Sequence, residues 1–112
     1  MELSGKIAFV TGSARGIGAA IAKALLRNGC TSLLGCDINP SGATTILELN
    51  DKFGGSKAEF FQLDVTSQSN FRLAFEHCKK SFGSYPDVIV NNAGILGEDR
   101  WESVIDVNLK VL

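Results

Sequence analysis

Eight residues near the start of the chain, Thr11, Gly12, Ser13, Ala14, Arg15, Gly16, Ile17 and Gly18, stand between an apolar run and a helical pattern. A segment of this kind suits a pyrophosphate. Gly12 permits a tight turn, Gly16 lets the backbone approach phosphate oxygens, and Gly18 allows the following helix to pack closely. The N-terminus of that helix, with Ile17 in its first turn, offers unpaired N–H groups and the positive end of a dipole. The spacing is G-x-x-x-G-x-G and not G-x-G-x-x-G, and a glycine cluster taken alone also reads as a plain turn.

Three further groups agree with a dinucleotide site. Asp37 follows the apolar run Thr31 to Cys36, where an acid can accept both ribose hydroxyls of an adenosine, with Ile38 beside it in the same contact. A carboxylate there repels a 2′-phosphate, which favours NAD over NADP, whereas the guanidinium of Arg15 near the ribose would attract that phosphate. Asp64 with Val65 follows a third apolar run, and reads either as a turn cap or as a partner for the adenine amino group. Asn91, Asn92, Ala93 and Gly94 follow a fourth run; they read as an ordinary Asn/Gly turn or, with Asn91 and Ala93, as contacts to the second ribose.

The elements that must position these groups alternate strand and helix. Ile7 to Val10 is a continuous apolar run, expected of a parallel strand buried on both faces. Helical spacing of Ile17, Ala20, Ile21, Ala24 and Leu25 predicts a helix over Gly16 to Asn28, stopped by Gly29. Thr31 to Cys36 is a second strand. Asn39 as N-cap and Pro40 in the first turn predict a helix running to about Phe53, ended by Gly54 and Gly55. Ala58 to Leu63 is a third strand, and Thr66 can cap a helix whose inner face is Phe71, Ala74, Phe75, Cys78 and Phe82. Pro86 to Val90 is a fourth strand, followed by a turn over 91–97 and the start of a helix from about Trp101.

Strands joined by right-handed helical crossovers lie parallel. The expected fold is therefore α/β, a Rossmann-type doubly wound sheet in the order 3-2-1-4, with all the candidate groups at the carboxyl edge where strand order reverses between strands one and four. One domain, residues 1–112, accounts for the chain. An apolar fourth strand left as an open edge is unusual, so the sheet is expected to be truncated after that strand and the start of the next helix, or to be completed by a partner.

Composition narrows the function classes. An apolar fraction of 45% and a charged fraction of 21% are ordinary for a globular domain. A net charge of −1, with no like-charge run longer than Lys79 and Lys80, lacks the basic stripe that nucleic acids or anionic membranes need. Neither a leader peptide nor a membrane span is read from the sequence. Cys30, Cys36 and Cys78 lie in apolar segments without C-x-x-C spacing, which suits reduced core thiols in the cytoplasm and no metal site.

These residues resemble the short-chain dehydrogenase/reductase family. The likeness rests on T-G-S-A-R-G-I-G at Thr11 to Gly18, Asp64 with Val65, N-N-A-G at Asn91 to Gly94 and V-N-L at Val107 to Leu109, and it covers nearly the whole chain. Spacing, the acid after strand two and the segment Gly97 to Glu102 resemble the 15-hydroxyprostaglandin dehydrogenase branch and its invertebrate relatives, although Trp101 reads equally as a packing residue. The resemblance implies an NAD-dependent oxidoreductase, the N-terminal portion of a single-domain enzyme, acting on a small-molecule alcohol or ketone such as a hydroxy-lipid. It also implies a homo-oligomeric full-length form, and it makes Asn108 the catalytic asparagine that holds a water in a proton relay.

The family's serine and Tyr-x-x-x-Lys are not in these 112 residues. Tyr85, the one tyrosine, precedes the fourth strand and has Ile89 four positions on. Without that acid/base the 112 residues are expected to be nearly inert alone. His77, flanked by Glu76 and Lys79, reads as a solvated surface histidine and not as a substitute base. A non-catalytic nucleotide-binding or dimer-interfering module is the alternative. A methyltransferase on a similar sheet is disfavoured by N-N-A-G and by glycine spacing suited to pyrophosphate.

Overall fold

In a computed structural model of the protein, residues 2–55 and 57–92 are described. The elements are β1 (Ile7–Thr11), α1 (Gly16–Arg27), β2 (Ser32–Asp37), α2 (Gly42–Phe53), β3 (Ala58–Gln62), α3 (Gln68–Phe82) and β4 (Val88–Asn91). All strand pairs are parallel and the order is β3-β2-β1-β4, the doubly wound arrangement expected.

Side chains of β1 alternate between the two faces of the sheet, as the two-residue period of a strand requires. Ala8 and Val10 join Leu33 under α1 and α2, against Ala22, Leu26, Ile46 and Leu49. Ile7 and Phe9 join Leu34 and Cys36 under α3, against Ala74 and Cys78. Covering both faces is why all five residues of β1 are buried and why its sequence shows no polar alternation. Phe9 is fully buried, with ring centroids 4.7 Å from Phe75 and 6.2 Å from Phe71. Its loss to alanine is worth about 3–5 kcal/mol.

The inner face of α3 is the one its periodicity predicts. That of α1 is rotated from the expected one. Gly18, Ala22 and Leu26 are buried with Ile21 and Leu25 beside them, while Ile17, Ala20 and Ala24 face out. Gly18 has to meet the β1–α1 turn, and a helix with Gly18 inward necessarily turns Ile17 away.

Two helix starts also differ from expectation. α2 begins at Gly42 and not at Pro40, because Asn39 builds a tight turn of its own: its Oδ1 accepts the Ser41 N–H at 2.9 Å, and Gly42 and Ala43 bond three residues back. α3 is capped by Ser67, whose hydroxyl oxygen accepts the Asn70 N–H at 3.1 Å, and not by Thr66. Thr66 is turned back on Asp64, to which both its N–H and its hydroxyl donate. The stops at Gly29 and Gly54 fall where expected. The helix expected from about Trp101 lies outside the described residues.

β1 and β4 are joined at both ends by side chains. At the amino end, Ile7 N–H donates to Asp87 Oδ2 at 2.9 Å and Asp87 N–H to the Ile7 carbonyl at 2.8 Å. At the carboxyl end, the Thr11 hydroxyl donates to Asn91 Oδ1 at 3.0 Å and accepts the Asn92 N–H at 2.9 Å.

Candidate functional site

The carboxyl ends of the four strands form one row. Thr11 is level with Cys36 on β2 and with Asn91 on β4, and Asp37 is level with Gln62 on β3. Three interstrand steps of about 4.8 Å make the row about 14 Å long, a length suited to an extended nucleotide more than to a single small anion. Asp37, Asp64, Asn91 and the glycine-rich turn all lie along it.

Gly12 and Gly16 have φ of 68° and 63°, the left-handed region that the turn demands and that side chains disfavour. Gly18 serves contact and not conformation. A Cβ there would stand 1.8 Å from the Gly12 carbonyl oxygen and 2.6 Å from the Asn92 side-chain Nδ2, so only glycine lets α1 lie against the turn. At Gly16 a Cβ would meet nothing within 4 Å, so the backbone there borders open space.

The N-cap of α1 is Arg15, in extended conformation and without a side-chain cap bond, and the first turn carries no acid. The first turn of α1 therefore carries no carboxylate of its own, and the nearby Asp37 carboxylate takes the Ala14 N–H ahead of the helix, which suits the first amides of α1 to an external anion. Ile17 and Ile38, at 50% and 59% exposure, place two large apolar side chains beside this opening.

Asp37 does more than its sequence position suggests. Its Oδ2 accepts the Ala14 N–H at 2.9 Å and its Oδ1 the Asn39 N–H at 2.9 Å, so two backbone amides hold the carboxylate in one orientation. Each oxygen keeps a second lone-pair direction for a ribose hydroxyl. Ser13, fully buried, adds to the same latch: its N–H donates to the Cys36 carbonyl at 3.1 Å and its hydroxyl to the same oxygen at 3.4 Å. The Thr45 hydroxyl on α2 donates to the Ala14 carbonyl.

Asp64 sits past the end of β3, and the Thr66 hydroxyl and then the Thr66 N–H hold its carboxyl below the usual carboxylate range. Val65 packs at the margin of the α3-side core. The structure thus gathers Gly12, Arg15, Gly16, Ile17, Gly18, Asp37, Ile38, Asp64, Val65 and Asn91 along one edge. Ala93 and Asn108 lie outside the described residues. Thr11 and Ser13, placed by the sequence in the glycine-rich segment without roles of their own, and Thr45, which sequence reasoning missed, help build the site. Thr11 and Ser13 carried a signal, as hydroxyls in an apolar context beside glycine, and Thr45 carried none.

Two titratable side chains stand apart from this edge. His77 is half-buried at the surface and paired: its Nε2 is 2.9 Å from Glu59 Oε1 on β3, its ring lies 5.4 Å from Phe61, and Ser81 approaches the same nitrogen at 3.3 Å. Tyr85 donates to Glu76 Oε2 at 2.8 Å under Lys79 Nζ, and the carboxylate raises its pKa, the opposite of an activated tyrosine. A groove between α1 and α2, lined by Ala19, Lys23, Thr45 and Lys52 among others, lies in the helical layer and not over the strand ends. Among the described residues no cluster of three or more His, Cys, Asp or Glu could hold a metal, and no helix is long and apolar enough to cross a membrane.

A family model described as short chain dehydrogenase matches residues 6–112. Over 110 residues the chain is 41% identical to 15-hydroxyprostaglandin dehydrogenase (NAD+) of Macaca fascicularis, covering 97% of this chain and 41% of that protein. It is 38% identical over 120 residues to 3-oxoacyl-(acyl-carrier-protein) reductase of Pseudomonas aeruginosa, covering 100% of this chain and 47% of the relative. Among solved structures, hydroxysteroid dehydrogenase from Escherichia coli matches with a TM-score of 0.75 at 32% identity, over 86% of this chain and 40% of that one. A short chain dehydrogenase/reductase from Burkholderia phymatum in complex with NAD matches with a TM-score of 0.77 at 25% identity, over 85% and 33%. The chain spans less than half the length of the relatives it matches.

Proposed function

Because the chain belongs to the short-chain dehydrogenase family, whose members are oxidoreductases that bind nicotinamide cofactors, we propose that it is the NAD-binding portion of an enzyme oxidising a secondary alcohol to a ketone, or the reverse. The observation that carries NAD is the fixed carboxylate of Asp37. Two backbone amides orient it beside the glycine-rich turn, so its remaining lone pairs face a ribose with no reorganisation, and its charge opposes a 2′-phosphate. The name of the macaque relative, 15-hydroxyprostaglandin dehydrogenase (NAD+), supports both the cofactor and a hydroxy-lipid as the substrate class.

In this reading Gly12, Gly16, Ile17 and Gly18 bind the pyrophosphate at the N-terminus of α1, with Arg15 at its margin. Asp37 and Ile38 hold the adenosine ribose, Asp64 and Val65 the adenine, and Asn91 and Ala93 the second ribose. Bound NAD supplies the hydride acceptor or donor. Moving a proton at the substrate oxygen calls for an acid/base that these residues do not contain, since the only tyrosine, Tyr85, is committed to Glu76 at the other end of β4. Asn108 would hold the relay water for that group. Buried free thiols at Cys30, Cys36 and Cys78 support a reducing cytoplasm, and the intact protein is proposed to act there as a homo-oligomer.

Calorimetric titration of the intact protein with NAD and with NADP tests the reading. NAD is expected to bind at least roughly tenfold more tightly, the scale of one hydrogen bond to a charged group. Asp37→Ala frees the Ala14 and Asn39 amides and so weakens both ligands; the preference between them is the readout, and it should vanish. Equal binding of NAD and NADP by the unmodified protein would sink the assignment.

A further inference from the structure

We infer that Thr45, the fourth residue of α2, is a positioning residue for the cofactor: through the Ala14 carbonyl it sets the direction of the Arg15 N–H at the glycine-rich turn. The inference rests on the reading of that turn as the NAD site. Ala14 is buried, and the peptide units on either side of it are held by different elements. Its N–H is taken by Asp37 Oδ2 at 2.9 Å, from the end of β2. Its carbonyl is taken by the Thr45 hydroxyl, 31 residues away in sequence. A trans peptide is planar, with its C=O and N–H on opposite sides, so fixing the Ala14 oxygen toward α2 turns the Arg15 N–H away from α2. Arg15 is the N-cap of α1 and is followed by Gly16 at φ 63°, so a rotation of this one peptide passes directly into the first turn of the helix.

Threonine suits the task because its branched Cβ restricts χ1 and keeps the hydroxyl on target. Within a helix a threonine hydroxyl can bond the carbonyl one turn back. Here it reaches a different segment instead, and the side chain lies half-buried between α2 and the turn. Asp37 cannot report on this role by itself, since it also faces the ribose.

In the intact protein, Thr45→Val keeps the branched shape and deletes the donor. NAD dissociation constants should rise by roughly three- to tenfold, as for one lost hydrogen bond, while Thr45→Ser should restore binding to within about twofold. Removing a hydroxyl that merely supports the fold would lower the melting temperature without this pattern, so the melting temperature and the Arg15 backbone amide resonance of the cofactor-free protein are recorded for all three. The resonance should move in the valine variant and return in the serine variant. Unchanged NAD binding in Thr45→Val, or a serine variant as weak as the valine one, overturns the inference and leaves the cofactor reading standing. Failure of the unmodified protein to bind NAD overturns both.

Discussion

Replacing Gly18 by alanine is the most demanding test of the turn geometry. The added Cβ would lie 1.8 Å from the Gly12 carbonyl oxygen and 2.6 Å from the Gly12 carbonyl carbon. Reaching ordinary contact at 3.4 Å requires about 1.6 Å of movement between two pieces of backbone, not a side-chain adjustment. Neither piece yields easily. Gly12 follows Thr11, which is tied to Asn91 and Asn92, and α1 is anchored under the sheet by Ala22 and Leu26. Overpacking a tight core costs about 1–3 kcal/mol where side chains repack, so a clash against backbone should reach at least the upper end, about 3 kcal/mol. Urea unfolding followed by circular dichroism measures the loss. Gly16→Ala is the internal control. Its Cβ meets nothing, so only the positive φ of 63° is penalised, at about 1–2 kcal/mol, while the methyl enters the space proposed for the phosphates. Gly18→Ala should therefore be the greater loss of stability and Gly16→Ala a loss of NAD affinity beyond its loss of stability. A Gly18→Ala protein destabilised by less than the Gly16→Ala protein would refute the packing argument.

Three further outcomes follow from bonds described above. Thr11→Val removes the hydroxyl that joins β1 to β4 and strands the Asn92 N–H, so urea unfolding should show a loss of about 1–3 kcal/mol; a loss under about 0.5 kcal/mol, typical of surface changes, would contradict it. Asp64 should titrate below the usual carboxylate range in a carboxyl ¹³C experiment, and Thr66→Val should move it back up. Because its folded pKa is depressed, the support it gives the turn is present above the unfolded pKa and disappears as pH falls through the folded one, so acid should loosen the β3–α3 turn in the unmodified protein more than in the variant. Burial pushes the Cys36 thiol up, and Cys78 up to about 12, so a thiol reagent at neutral pH should label none of the three cysteines in the native protein and all three after unfolding; rapid labelling of a native thiol would contradict the core placement.

The larger architecture was legible because it rests on patterns spread over many residues. The unbroken run Ile7 to Val10 announced a strand covered on both faces, and alternation of strand and helix carried the order 3-2-1-4. Local choices between neighbours were not legible. Thr66 and Ser67 are both competent caps, and Asp64 decides between them by engaging Thr66. Pro40 is a good first helical residue, yet the Asn39 turn delays the helix to Gly42. The same holds at the site. Asp37 was recognisable as an acid after a strand, but its amide partners Ala14 and Asn39 depend on how two loops meet, and the reach of Thr45 to Ala14 depends on how α2 docks. His77 found Glu59 across the α3–β3 contact and not its sequence neighbour Glu76, which periodicity along one helix does not reveal.

The joining of β1 to β4 also orders events in time. The bonds Ile7–Asp87 and Thr11–Asn91 each span 80 positions, whereas β1 meets β2 with Ile7 opposite Ser32, 25 positions on. Closing the longer loop costs only about 1 kcal/mol more in chain entropy, so the delay comes from synthesis and not from thermodynamics. Asp37 leads Asn91 by 54 residues (91 − 37), which at about 5–20 residues per second is about 3–11 s. During that interval Asn91 and Asn92 have not been made, so neither the β4 wall of the crevice nor the Thr11 bonds to it can form.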